Sequence, residues 1–194
     1  MPRRRRSGFG QTESWFATLR RIQNLEDRTL LAAPAGTDNT LTTNEDTQLA
    51  IVAGDFGFTD PNDSPADSFN RVRITSLPAA GTLQNNGVAI SAGDFVTVAD
   101  LNLNRLTFDP AANANGSPYT SFTFQVEDNG GGDNLDLSAN TLTINVNSVN
   151  DPPAGTDNTL TTNEDTQLTI VAGDFGFTDP NDSPADSFNR VRIT

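Results

Sequence analysis

Residues 34–75 and 153–194 are almost the same sequence. They align without a gap at an offset of 119 residues, and among 42 positions only Ala50, which is matched by Thr169, differs. A match this close indicates tandem duplication, and a duplicated unit usually corresponds to one structural module. The duplication therefore predicts three segments, which are an N-terminal extension at 1–33, a complete repeat at 34–152 and the first third of a second repeat at 153–194.

The charge of the chain is distributed unevenly between the extension and the repeats. Residues 1–33 contain seven Arg and three carboxylates, whereas the remaining residues contain 22 carboxylates and five Arg. A nucleic-acid-binding domain needs a basic face, so these acidic repeats predict no nucleic-acid partner. No stretch approaches the roughly 18 consecutive apolar residues of a membrane-spanning helix, which predicts no membrane span.

Three residue types that carry much of protein chemistry are missing, because the sequence has no His, Cys or Lys. Their absence excludes Ser-His-Asp, Cys-His and Schiff-base catalysis, and it disfavours zinc, copper and iron–sulfur sites. Carboxylate pairs for glycoside hydrolysis remain, but Glu45 and Glu164 are copies of each other, and the repeats contain only Glu127 besides them. The composition predicts a protein that is not an enzyme, while Ca²⁺, which binds oxygen ligands, remains possible.

The repeat shows the alternation of β-strands. Large apolar residues alternate with polar or small ones at 48–51, 71–74, 121–126 and 141–146, so each stretch predicts a strand with one buried face. Asn86-Gly87 predicts a hairpin turn, and 98–103 a single helical turn. Many short strands with frequent turn residues predict an all-β fold, an antiparallel Greek-key β-sandwich. A barrel is the alternative.

The second copy contains only the first three of these strands. Its apolar positions Leu168, Ile170, Val191 and Ile193 would lack an opposite sheet, and a few strands without a packing partner are marginally stable in water. We therefore expect that 153–194 cannot close a core alone. A neighbouring identical chain could supply the missing strands.

Several motifs of the repeat, taken in order, resemble the bacterial cadherin-like tandem repeats of large surface adhesins. They are FTDPNDSPADSFNRVRIT, SLPAAGTL, LTFDPAANANGSPYTSFTFQVEDNGG and NTLTINVNSVNDPP. SLPAAGTL with GDFVTVADL is also similar to the related chondroitin-sulfate-proteoglycan-type repeat. The resemblance implies an immunoglobulin-like sandwich that serves as a rod segment on the bacterial cell surface, often with Ca²⁺ at the junctions between repeats.

The extension contains a second resemblance. Its segment LEDRTLLA, at 25–32, is similar to a leader motif of exported planctomycete proteins and implies an extracellular location. Residues 1–33 lack the continuous apolar stretch of a secretory signal. We expect this basic leader to be largely disordered or a short helix.

Ca²⁺ prefers six to eight oxygen ligands and tolerates irregular geometry, and three acidic clusters in predicted loops offer such ligands. The first is Asp60 to Asp63 with Asp67, repeated as Asp179 to Asp186; the second is 127–129, which leads into Asp133 and Asp136; the third is Asn150-Asp151. Asp and Asn also cap ordinary turns, so the turn interpretation remains open for each cluster. Asp133 to Asp136 is similar to one copy of the repeat-in-toxin calcium motif, and we interpret it as a plain loop.

The cadherin-like resemblance distributes these residues between two junctions. At the junction of the two repeats it implies a site formed by Glu45, Asn150, Asp151, Asp179 and Asp182. Toward the preceding segment it implies Asp60, Asp63 and Asp128, and we expect that site to be incomplete because 30–36, LLAAPAG, has no Asn-Asp pair.

Together these observations predict a non-catalytic repeat module, a Ca²⁺-stiffened spacer or adhesion segment whose partners are neighbouring repeats. The alternative is a module that binds cell-surface glycans or exopolysaccharide. Sugars often stack on exposed aromatic rings, and Phe56, Phe58 and Phe69 flank the first acidic loop. The same rings could instead cap one end of the core.

Overall fold

The computed structural model describes residues 32–194, so nearly all of the proposed leader lies outside the described residues. Repeat 1 contains nine strands and one short α-helix, α1, at Val98–Asn102. The strands are β1 (Asn39–Asn44), β2 (Leu49–Ala50), β3 (Phe69–Ile74), β4 (Thr82–Asn85), β5 (Val88–Ala89), β6 (Phe95–Thr97), β7 (Leu106–Asp109), β8 (Gly116–Asp128) and β9 (Asn140–Asn147). The predicted turn at Asn86-Gly87 joins β4 to β5, with φ angles of 52° and 77°.

The strands form two sheets, one with the order β1-β9-β8-β3-β6 and the other with the order β2-β7-β4-β5. Their inward-facing residues form one buried cluster, which confirms the all-β prediction and the sandwich-like layering. The predicted antiparallel pairing holds for all described strand pairs except one, because β1 runs parallel to β9, with Thr42 opposite Asn145. A parallel pair requires distant chain segments, and here the first and last strands of the repeat meet.

Alternation along the strands builds the core as predicted. The buried apolar side chains are Ile51, Phe56, Val72, Ile74, Leu83, Ile90, Val96, Leu101, Leu106, Phe108, Phe122, Phe124, Val126, Leu142, Ile144 and Val146. Phe56 packs edge-on against Phe124, with ring centroids 4.8 Å apart. The acidic loop after Phe56 is therefore attached to the core at its first residues.

The same sequence is exposed in the second copy. Ile74 is fully buried, whereas its counterpart Ile193 is 80% exposed; Ile51 is likewise buried and Ile170 is 58% exposed. Within 153–194 the structure has a 3₁₀ turn at Ala172–Phe175 and a single bridge between Ala154 and Thr178, but no strand. The residues that cover this face in repeat 1, 76–147, have no counterpart packed against the second copy.

None of the helices in the described part of the chain is both long and apolar enough to span a bilayer.

Candidate metal centres

Each acidic loop is positioned by a local scaffold that precedes it. In repeat 1 a 3₁₀ turn at Ala53–Phe56 ends in Gly57, whose φ of 56° is left-handed, and Ala35 then bridges to Thr59. A Cβ on Gly57 would lie 1.8 Å from Oγ1 of Thr37, so only glycine fits this close approach. The second copy repeats the turn, the left-handed glycine and the bridge. The scaffold therefore forms even where the β-sandwich core is absent.

The first cluster, which we call the repeat-1 cluster, comprises Asp60, Asp63, Asp67 and Asp128. Carboxylate oxygens of the first three lie within 4.8 Å of one another, and Asp128, at the end of β8, faces all three charges. Two of its buried oxygens, Oδ1 of Asp60 and Oδ2 of Asp128, have no hydrogen-bond partner. Buried carboxylate oxygens without a partner are costly, and a bound cation would satisfy them.

Backbone N–H groups hold three other oxygens of the repeat-1 cluster. The N–H of Asp67 donates to Oδ2 of Asp60 at 2.6 Å, and the N–H of Gly130 donates to Oδ1 of Asp128 at 2.8 Å. The N–H of Ala32 donates to Oδ1 of Asp63 at 2.6 Å. These bonds orient the carboxylates toward one another without neutralising their charges.

Burial and mutual repulsion determine the electrostatics of this cluster. Burial raises the pKa of Asp128, against the lowering effect of the Gly130 N–H, and the charges of Asp67, Asp60 and Asp63 raise it further. Burial also raises the pKa of Asp67, and Asp63 adds to the rise. Like charges held together in this way favour binding of a proton or a cation.

Gly130 makes room for the repeat-1 cluster. A Cβ at this position would lie 2.0 Å from Oδ2 of Asp67 and 3.2 Å from Oδ1 of Asp128. We expect Gly130→Ala to displace the Asp67 carboxylate and to weaken Ca²⁺ binding at this cluster about tenfold, which corresponds to 1.4 kcal/mol. Calorimetric Ca²⁺ titration measures the effect. Gly54→Ala is the control because a Cβ at this site meets no atom within 4 Å, and unchanged affinity in Gly130→Ala would contradict the packing argument.

The second cluster, which we call the junction cluster, is formed by Asp179, Asp182 and Asp186, whose carboxylate oxygens also lie within 4.8 Å of one another. The N–H of Asp186 donates to Oδ2 of Asp179 at 2.7 Å, as Asp67 does to Asp60 in repeat 1. Oδ1 of Asp179 and Oδ2 of Asp182 are buried and have no partner. The two clusters therefore have equivalent residues, the same backbone hydrogen bond and two buried oxygens without a partner.

The linker between the repeats docks on the junction cluster. The N–H of Asp151 donates to Oδ1 of Asp182 at 2.8 Å, which is the counterpart of the bond from Ala32 to Asp63. Burial raises the pKa of Asp151, and Asp182, Asp46, Glu45 and Asp179 add to the rise in that order. The structure therefore brings four of the five junction residues named from the sequence into one electrostatic group, namely Glu45, Asp151, Asp179 and Asp182.

Glu45 is engaged in holding the linker. It is 2% exposed; its Oε1 accepts from the N–H of Val149 at 2.5 Å, and its Oε2 accepts from Nδ2 of Asn115 at 3.2 Å. The bond from Val149 lowers the pKa of Glu45, although burial opposes this effect. Both carboxylate oxygens of Glu45 thus have protein partners, which distinguishes this residue from Asp179 and Asp182.

The other residues singled out in the sequence have different surroundings. Asn150 is exposed, and its amide donates to the carbonyl of Asp151 at 2.9 Å. Asp136 is buried but accepts bonds from the N–H groups of Gly36 and Ser138 and from Asn140, so it supports the fold. Glu127 pairs with Arg71 at 2.9 Å.

The site in repeat 1 was expected to be incomplete because the segment before it has no Asn-Asp pair. The linker position there is Ala32, which contributes a backbone N–H and no carboxylate. The repeat nevertheless assembles four carboxylates of its own, including Asp67, which the resemblance did not assign to either site. Sequence reasoning also missed Gly130, Asp46 and Asn113, because they come from turns whose approach to the clusters depends on the packed sandwich.

Both clusters fit a hard divalent cation. All their candidate ligands are oxygens and most are carboxylates, which is the donor set that Ca²⁺ takes. Four buried oxygens without partners, two per cluster, point to the same conclusion. Comparison with protein families, with curated proteins and with solved structures finds no match for this chain.

Proposed function

We propose that this chain is a non-catalytic segment of a bacterial surface protein, in which cadherin-like repeats of Greek-key, immunoglobulin-like topology act as spacer or adhesion units stiffened by Ca²⁺. The observation that carries the proposal is the docking of the linker on the junction cluster, at 2.8 Å between Asp151 and Asp182, beside buried carboxylate oxygens that have no partner. A cation at this point would join the linker to the following repeat.

Ions bound at the two clusters would restrict bending between the repeats. One ion would be held in repeat 1 by Asp60, Asp63, Asp67 and Asp128. A second would be held at the junction by Asp179, Asp182 and Asp186, with Asp151 of the linker beside them. Ca²⁺ supplies positive charge that cancels the repulsion between these carboxylates. Pro152 and Pro153 restrict the linker in addition, because proline fixes φ and favours an extended residue before it. The combination supports a rod with limited bending between units.

Calorimetric titration of the 194-residue chain with Ca²⁺ tests the proposal. We expect binding in the micromolar to millimolar range at two sites, because each cluster provides one set of ligands. Asp63→Asn should remove one site and Asp182→Asn, at the equivalent position, the other. Asp133→Asn is the control, because Asp133 is exposed and belongs to neither cluster. Absence of binding at millimolar Ca²⁺, or equal loss in the control, would reject the metal-stiffened spacer.

The packing of the aromatic rings does not favour the alternative, a glycan-binding module. Phe56 is fully buried, and Phe58 and Phe69 stack on each other with centroids 4.9 Å apart and pack against the core. Stacked and partly buried rings present little face to a sugar. Surface adhesion through neighbouring repeats therefore remains the function that the site supports best.

A further inference from the structure

Asn113 lies where the two repeats meet, although it belongs to neither acidic cluster. It is in the loop between β7 and β8, with a left-handed φ of 53°. Its backbone N–H donates to Oδ1 of Asp46 at 3.1 Å. With its side-chain amide nitrogen facing the carboxylates, that nitrogen lies 3.1 Å from Oδ2 of Asp151 and 3.2 Å from Oδ2 of Asp46. In the same orientation its amide oxygen lies 3.3 Å from Oδ1 of Asn181, and this pair of acceptors becomes a hydrogen bond when the Asn181 amide is turned to present its nitrogen.

These contacts connect three separate segments. Asp46 belongs to the turn after β1, Asp151 to the linker and Asn181 to the acidic loop of the second copy. The orientation of the amide follows from its neighbours, because only a donor can bridge two carboxylates. Asn113 is thus a neutral donor placed between two like charges from different segments, the turn after β1 and the linker, and the linker in turn donates to Asp182 of the second copy.

The bridge matters because the surrounding charges repel one another. Asp151 is near Asp182, Asp46, Glu45 and Asp179, and all of them disfavour its ionised form. Without the amide of Asn113, the carboxylates of Asp46 and Asp151 would face each other with no donor between them. Hydrogen bonds to charged groups are stronger than neutral ones, so one amide can offset part of this repulsion.

We propose that Asn113 is a positioning residue that keeps the second repeat docked on the first when no cation is bound. The surface that it completes, formed by the turn at 45–46 and the loop at 110–116, fits the N-terminal third of a following repeat. We call the contacts of Asn113 with Asp46, Asp151 and Asn181 the clasp. The clasp requires none of the strands that the second copy lacks, because on that side it involves only the linker and the loop at 179–186. It goes beyond the proposed function, since it acts in the absence of Ca²⁺.

Distance measurements between the two units test the clasp. The sequence has no Cys, so Ala92→Cys and Ala185→Cys, both at exposed positions, allow spin labelling of the 194-residue chain. In EDTA at low ionic strength we expect a dominant docked distance. Asn113→Gly, which keeps the left-handed backbone and its N–H, should raise the undocked population about three- to tenfold, the shift that follows loss of one hydrogen bond. Asn113→Asp should raise it further, because it adds a third carboxylate.

Asn104→Gly is the matched control. Asn104 follows α1, is exposed, and also has a left-handed φ, of 54°. This substitution should leave the distance distribution unchanged, and circular dichroism should show repeat 1 folded in all variants. A broad distribution in the unsubstituted chain, equal distributions in all variants, or an equal effect of Asn104→Gly would overturn the clasp. Because these measurements use EDTA, their outcome is independent of whether Ca²⁺ binds.

Discussion

Ile74→Ala is expected to lower the free energy of unfolding of the chain by about 2–5 kcal/mol, whereas Ile193→Ala, at the equivalent position of the second copy, should change it by less than about 0.5 kcal/mol. The two residues occupy identical sequence contexts. Ile74 is fully buried and lies opposite Phe124 on β8, whereas Ile193 is 80% exposed. The difference arises because burial, and not sequence, determines the cost of removing apolar atoms.

Chemical denaturation followed by circular dichroism measures both variants. If Ile74→Ala does not fold, the smaller substitution Ile74→Val should still cost about 0.5–1.5 kcal/mol, and Ile193→Val should cost nothing measurable. Equal losses at positions 74 and 193 would show that the second copy buries the same face, either against another chain or within its own. Running the experiment at two protein concentrations separates these cases, because burial against another chain depends on concentration.

Asp128→Asn is expected to have opposite effects on stability with and without Ca²⁺. In EDTA the substitution should raise the free energy of unfolding by about 1 kcal/mol, because it removes one like charge from the group that includes Asp60, Asp63 and Asp67. The bond from Gly130 can remain, since the amide oxygen still accepts it. In Ca²⁺ the unsubstituted chain should gain about 2.7 kcal/mol at 100 times Kd, and the variant should gain much less.

The sign of the pH dependence follows from the same charges. Burial and neighbouring carboxylates raise the pKa of Asp128, so its ionised form destabilises the fold above that pKa. Without Ca²⁺, stability should therefore stay level from neutral pH down to the raised pKa, increase as the pH falls through that pKa, and level off below the ordinary pKa of an unfolded Asp. Asp128→Asn should flatten this rise, and Asp133→Asn should not. Loss of stability in Asp128→Asn without Ca²⁺ would contradict the repulsion argument.

Much of repeat 1 could be predicted from local patterns. Alternation at β3, β8 and β9, the Asn86-Gly87 hairpin and the helical turn at α1 depend on residues close in sequence, and the structure contains all of them. The parallel pairing of β1 with β9 could not be predicted in this way. It joins residues about 100 positions apart, and strand periodicity carries no information about which strands become neighbours.

The candidate sites also combine features that the local sequence predicts with features that depend on packing. The repeated loop that carries Asp60 and Asp63 is visible in the sequence because it occurs twice and is dense in carboxylates. The family resemblance also grouped Asp128 with this loop, whereas the roles of Gly130 and Asn113 depend on where the turn after β8 and the loop after β7 lie in space. The absence of protein partners for Oδ1 of Asp60 and Oδ2 of Asp128 is likewise a property of packing.

From local patterns alone it follows that residues 34–75 and 153–194 share one set of strand patterns and one acidic loop. The expected exposure of the second copy is confirmed, but which strands of residues 76–147 cover the first copy follows from the three-dimensional packing, because strand patterns do not specify which strands become neighbours. The acidic loop keeps its form in both copies, since its turn, left-handed glycine and bridge lie within the repeated segment itself. Within the described residues the acidic loop is therefore present in both copies, whereas the buried core is formed only around the first.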